Sequence, residues 1–80
     1  MKIEMRDGRV FEGSALEIVK AMQSIAFGVD DYTVPRYIAW VVANTLKFEE
    51  LELDVKGETE EELAAALVAE MVRVGLTAKR

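Results

Sequence analysis

Eighty residues, 51% of them apolar, with a net charge of −5, make one globular domain. A domain of this size buries only about 60% of the surface its unfolded chain exposes. Cysteine and histidine are both absent, which excludes disulfides, thiolate chemistry, N/S metal sites and the Ser-His and Cys-His nucleophile arrangements.

In chain order, residues 2–12 read as a β-hairpin. Asp7-Gly8 suits a two-residue type I′ turn, which sets Met5 opposite Val10 and Glu4 opposite Phe11. A bulge near Val10 would instead turn Phe11 inward. Residues 15–27 read as a helix opened by a capping box of Ser14 and Glu17. Its apolar stripe is Ile18, Val19, Met22, Ile25 and Ala26, with Leu16, Lys20, Gln23 and Phe27 opposite. Gly28 is the expected stop.

A second helix is expected over 34–47, capped by Thr33 or Asp31, with Pro35 in its first turn, where a missing amide costs nothing. Val34, Tyr37, Ile38, Val41, Val42 and Thr45 form its inward face. Residues 51–56 alternate apolar and charged, the pattern of a third strand with one wet face. Thr59 and Glu62 make a second capping box for a helix over 60–74, which buries Leu63, Leu67, Met71 and Val74. Gly75-Leu76 fits a Schellman ending, and residues 77–80 read as a frayed tail. The expected fold is α+β of order ββααβα, a three-stranded, mostly antiparallel sheet with three helices packed on one face.

The stretch "DGRVFEGSALEIVKAM" resembles the start of short conserved proteins of bacteria and their mobile elements, which pair a hairpin with an E-G-[ST]-x-x-E-I-V helix start. The likeness spans residues 6–22. Such proteins have no assigned activity, so it carries no functional residue to this chain.

No apolar run reaches the ~20 residues of a membrane span, and "MKIEMRDGRV" mixes both charge signs, unlike a signal peptide. The expectation is a soluble cytoplasmic protein with no cofactor and no metal. Without disulfides or metals, a small domain is left with a well-packed core or self-association as its source of stability. Residues 49–62 hold eight acids against Lys56 alone, a local charge of −7, so the remainder is +2. That balance opposes direct nucleic-acid binding, which relies on basic side chains neutralising phosphates. Acid/base catalysis at the carboxylate pairs Asp30-Asp31 and Glu49-Glu50 would need a deep cleft, for which an 80-residue domain rarely has room, and no phosphate-binding or nucleophile motif occurs. An enzyme is not expected.

Trp40, the one tryptophan, falls about a third of a turn outside the apolar stripe of the second helix. Two readings follow. Either it closes the core against the third helix, or Arg36, Trp40 and Lys47 form an exposed ridge in which Arg36 stacks on Trp40. Such a ridge has the composition of an interface hot spot. Leu16 and Phe27, and the small strip Ala65, Ala69 and Val72, add apolar surface that one small core does not need. The leading expectation is therefore a non-enzymatic protein-interaction module, an adaptor or regulatory subunit that binds a protein partner or itself as a homodimer. Its contact residues are Arg36, Trp40, Lys47, Leu16 and Phe27. The alternative is an acidic, nucleic-acid-mimicking inhibitor of a basic target, acting through Glu49, Glu50, Glu52 and Asp54.

Overall fold

Strands β1 (Lys2–Met5) and β2 (Val10–Glu12) form the hairpin in a computed structural model that describes residues 1–80. The turn is not the two-residue type. The Gly8 N–H donates to the Met5 carbonyl at 3.0 Å and the Met5 N–H to the Arg9 carbonyl at 2.7 Å, so Arg6, Asp7 and Gly8 make a three-residue loop. A type I turn closed by a left-handed residue needs positive φ at one position only, whereas type I′ needs two. Gly8 alone supplies it, at +92°, and the Asp7 carboxylate accepts the Arg9 N–H at 3.0 Å. The extra loop residue shifts the register, so that Ile3 faces Phe11 and Glu4 faces Val10. Phe11 thereby joins Ile3 on the inner face, and Val10 is left exposed on the outer one.

The expected frayed tail is a strand. Residues Thr77–Lys79 form β3, antiparallel to β1, giving a sheet of order β2-β1-β3. The Thr77 hydroxyl donates to the Glu4 carbonyl at 2.6 Å, the Arg80 N–H donates to the Lys2 carbonyl at 2.7 Å, and the Arg80 guanidinium pairs with Glu4 at 2.8 Å. What aims the chain back at β1 is the Schellman ending at Gly75, whose φ is +82°. The Leu76 N–H donates to the Met71 carbonyl and the Gly75 N–H to the Val72 carbonyl, at 2.9 and 3.2 Å.

The expected strand over 51–56 does not form. The alternation is real: Leu53 is buried, Leu51 and Val55 are half-buried, and Glu52, Asp54 and Lys56 are exposed. The backbone, however, is held by side chains of a helix rather than by a ladder. The Asp54 N–H donates to Glu70 Oε1 at 2.8 Å, and Arg73 Nη2 donates to the Glu52 carbonyl at 3.1 Å. Alternation records that one side of an extended segment is dry; it does not say whether the dry side lies on a sheet or on helices. The order is thus ββαααβ, with the α+β class, the three-stranded antiparallel sheet and the three helices as expected.

Helix α1 (Ala15–Ile25) starts at the expected capping box, with the Glu17 N–H donating to Ser14 Oγ at 3.1 Å and the Ser14 N–H to Glu17 Oε1 at 2.9 Å. It stops short of 27 because Ala26 turns extended, at φ −79° and ψ 139°. Helix α2 (Val34–Glu49) begins after the cap Thr33, and α3 (Glu60–Arg73) begins at the second capping box, Thr59 with Glu62. Helices α1 and α3 lie against the sheet, and α2 packs on them in a second tier. Between the layers sits a core led by Ile3, Ile18, Val19 and Leu67, all fully buried.

Two positions of α1 depart from the expected stripe. Ile25 is exposed, beyond the reach of the core, while Gln23 is buried. The Gln23 amide donates to the carbonyls of Val29 and Tyr32, at 2.8 Å each, and so ties the α1–α2 loop to the helix. Replacing Gln23 with Ala removes the side-chain donor from the Tyr32 carbonyl and leaves the Val29 carbonyl with the Tyr32 N–H alone, at 3.1 Å. It is expected to cost about 1–3 kcal/mol in urea unfolding, with added protease sensitivity in the loop.

Candidate interaction surface

Helix α2 buries Val34, Tyr37 and Ile38 and half-buries Val41, Val42 and Thr45, as its pattern implies. Its outer face carries Arg36, Ala39, Trp40, Ala43, Leu46 and Lys47, with Glu50 as the C-cap, and all seven are exposed. Spacings of three and four residues put the six helical side chains on one continuous stripe, and Glu50, whose φ is +57°, closes its C-terminal end. Leu46 and Phe48 are 53% and 71% exposed and Trp40 is 37% exposed, so three large apolar groups on one helix face water. Ala39, Ala43 and Leu46 were not among the expected contact residues; the three–four spacing along the helix from Arg36 is the signal that finds them.

Trp40 lies outside the core cluster, against its edge. One face of its ring stacks on Tyr37, with centroids 5.8 Å apart and planes at 24°. The expected Arg36–Trp40 stack does not form. The Arg36 guanidinium lies 3.9 Å from the Tyr32 ring, on the loop before the helix, and Lys47 Nζ lies 5.3 Å from the Phe48 ring. Of the five expected partner-contact residues, Arg36, Trp40 and Lys47 share the α2 ridge. Leu16 packs half-buried against the core and does not belong to the surface. Phe27 is fully exposed, but on the α1–α2 loop.

The acidic residues are dispersed in what they do. Glu49 pairs with Arg6 at 3.7 Å and Asp54 with Lys56 at 3.7 Å. Glu62 closes the α3 capping box, and Glu60 and Glu61 sit in the same first turn, where the helix end is positive. The side chains of Glu50 and Glu52 make no ion pair. No group of three or more carboxylates converges as a metal site. No helix is long and apolar enough to cross a membrane.

Beside the ridge, a groove of about 340 Å³ runs between the hairpin turn, α2 and the end of α3. Met5, Met22, Met71, Tyr37, Val41 and Leu76 contribute to its walls. Burial pushes the Tyr37 phenol up to about 12. The stability that comes from burying it neutral is whole below the ordinary tyrosine value of 10.0 and is lost as pH rises through about 12. At the acid end, backbone and hydroxyl bonds from Ser14 hold Glu17 below its ordinary 4.5, backbone bonds from Glu58 and Thr59 do the same for Glu62, and Arg73 does so for Glu70. Their contribution is present above 4.5 and falls away as pH drops through the lowered values. A circular-dichroism titration is expected to show a stability plateau bounded by these two edges, with the Tyr37 phenolate appearing together with loss of structure near pH 12.

The architecture defines a class: a small α+β domain in which β1 and β3, from opposite ends of the chain, pair at the centre of the fold, and a two-tier helical layer leaves α2 outermost. Comparison with family models, with curated proteins and with solved structures finds no match.

Proposed function

We propose that this chain is a small non-enzymatic protein-interaction module, an adaptor or regulatory subunit working in the cytoplasm, and that it associates with itself through the outer face of α2. One observation carries the reading. A sixteen-residue helix packs on one side only and presents Trp40 and Leu46 to solvent on its outer face, flanked by Arg36 and Lys47. Tryptophan and arginine are the residues most enriched where binding energy concentrates. Exposed apolar groups in this density on one element mark an interaction site more often than a free surface.

The acidic stretch supports the nucleic-acid mimic less well, because Glu49, Asp54 and Glu62 are committed within the fold. Trp40 is the only tryptophan and so reports on the surface directly. Its emission is expected to shift blue, and its access to a soluble quencher to fall, as protein concentration rises. Emission and quenching that do not change with concentration contradict self-association.

A further inference from the structure

We infer that the second copy docks as an antiparallel α2 about a two-fold axis at Ala43, with Arg36 of each copy set against Glu50 of the other; this inference rests on the self-association reading above. A two-fold interface must be self-complementary, so that if one residue meets a second, the second also meets the first. The α2 stripe has that property about Ala43. Arg36 and Glu50 lie seven residues to either side, Ala39 and Lys47 four, and Trp40 and Leu46 three. An antiparallel pairing therefore sets Trp40 level with the other copy's Leu46, and Ala39 level with Lys47, on opposite flanks of the Ala43 contact, with the Lys47 stem lying along the seam. It brings the two Ala43 residues together, where small side chains let helix axes approach to about 8 Å. At a rise of about 1.5 Å per residue, each Arg36–Glu50 contact falls about 10 Å from the axis, so two opposite-charge pairs bracket an apolar centre.

The charges of α2 supply the second argument. A helix favours acids at its N-terminus and bases at its C-terminus. Helix α3 follows that rule, with Glu60, Glu61 and Glu62 in its first turn and Arg73 in its last. Helix α2 has no acid in its first turn, which holds Arg36, and it ends on Glu49 and Glu50, although Lys47 also lies in its last turn. Within one copy, Glu49 is balanced by Arg6, whereas Arg36 and Glu50 have no ion-pair partner. An antiparallel neighbour corrects both ends. It sets Arg36 beside the negative end of the other α2 and Glu50 beside the positive end. A parallel neighbour would place like charges together.

Charge reversal tests this. Both positions are exposed, so the folded monomer is expected to survive, with circular dichroism as the control. By sedimentation equilibrium, Arg36→Glu and Glu50→Arg are each expected to weaken self-association roughly tenfold or more, since each converts two attractions into two repulsions. Combining both changes in one chain should restore association. Mixing the two single variants should yield a heterodimer tighter than either variant alone, because all four charges then match. If the unmodified chain dimerises and both single variants dimerise equally well, the antiparallel α2 geometry is overturned while self-association stands. If the unmodified chain is monomeric at every concentration, both fall together.

Discussion

Ending the chain after Leu76 is expected to lower stability by about 3 kcal/mol or more, enough to leave so small a domain largely unfolded. The segment removed looks expendable by composition, since only Thr77 in it is buried. Its loss strips β1 of a whole ladder. The Glu4 carbonyl loses the Thr77 hydroxyl, the Lys2 carbonyl loses the Arg80 N–H, and the Glu4 carboxylate loses Arg80. Each backbone bond is worth only about 1 kcal/mol net, but β1 also carries Ile3, which is fully buried at the centre of the core. Exposing its flank opens the core to water. Urea unfolding of the truncated chain measures the effect. A truncated chain as stable as the parent would mean that 77–80 is a tail after all and that β1 is an edge strand.

Replacing Trp40 with Ala is expected to separate binding from folding. The ring stacks on the outer side of Tyr37, a core residue, without belonging to the core cluster itself, so thermal stability should drop by only about 1 kcal/mol, the scale of one aromatic pair. Self-association should weaken far more, by about 30-fold or greater, as expected for a central aromatic anchor worth ~2 kcal/mol. Sedimentation of the variant and of the parent at matched concentrations gives the ratio. A variant that unfolds readily yet associates normally would place Trp40 in the fold instead of the interface.

The parts of this fold that were legible in the sequence are those set by chemistry within a few residues. The capping boxes at Ser14–Glu17 and Thr59–Glu62 close on themselves, and so does the Schellman turn at Gly75. Each helix start and the end of α3 could be read from the residues present. What could not be read depends on partners far away in the chain. The hydrogen bonds of 51–56 go to Glu70 and Arg73, and those of β3 go to β1, about seventy-five residues earlier. No local pattern distinguishes an extended segment lying on helices from a strand in a sheet, or a three-residue strand from a tail. The hairpin register turned on one backbone angle, that of Asp7. Gln23 falls opposite the buried stripe on a helical wheel, yet it is buried, because its polar end meets loop carbonyls whose position the wheel does not contain.

The contact surface was legible in part for the same reason. Helical spacing alone places Trp40 off the buried stripe, with Arg36 and Lys47 beside it. The same spacing cannot show that Tyr32, four residues ahead of Arg36 and outside the helix, captures its guanidinium. Leu16 sits opposite the main stripe on a wheel of α1, yet in the fold it packs half-buried against the core.

Sedimentation equilibrium of the unmodified chain over a wide concentration range tests the central claim most directly. The average mass is expected to rise from that of one chain towards that of two. A mass that stays at one chain throughout, with Trp40 open to quencher at every concentration, contradicts the account.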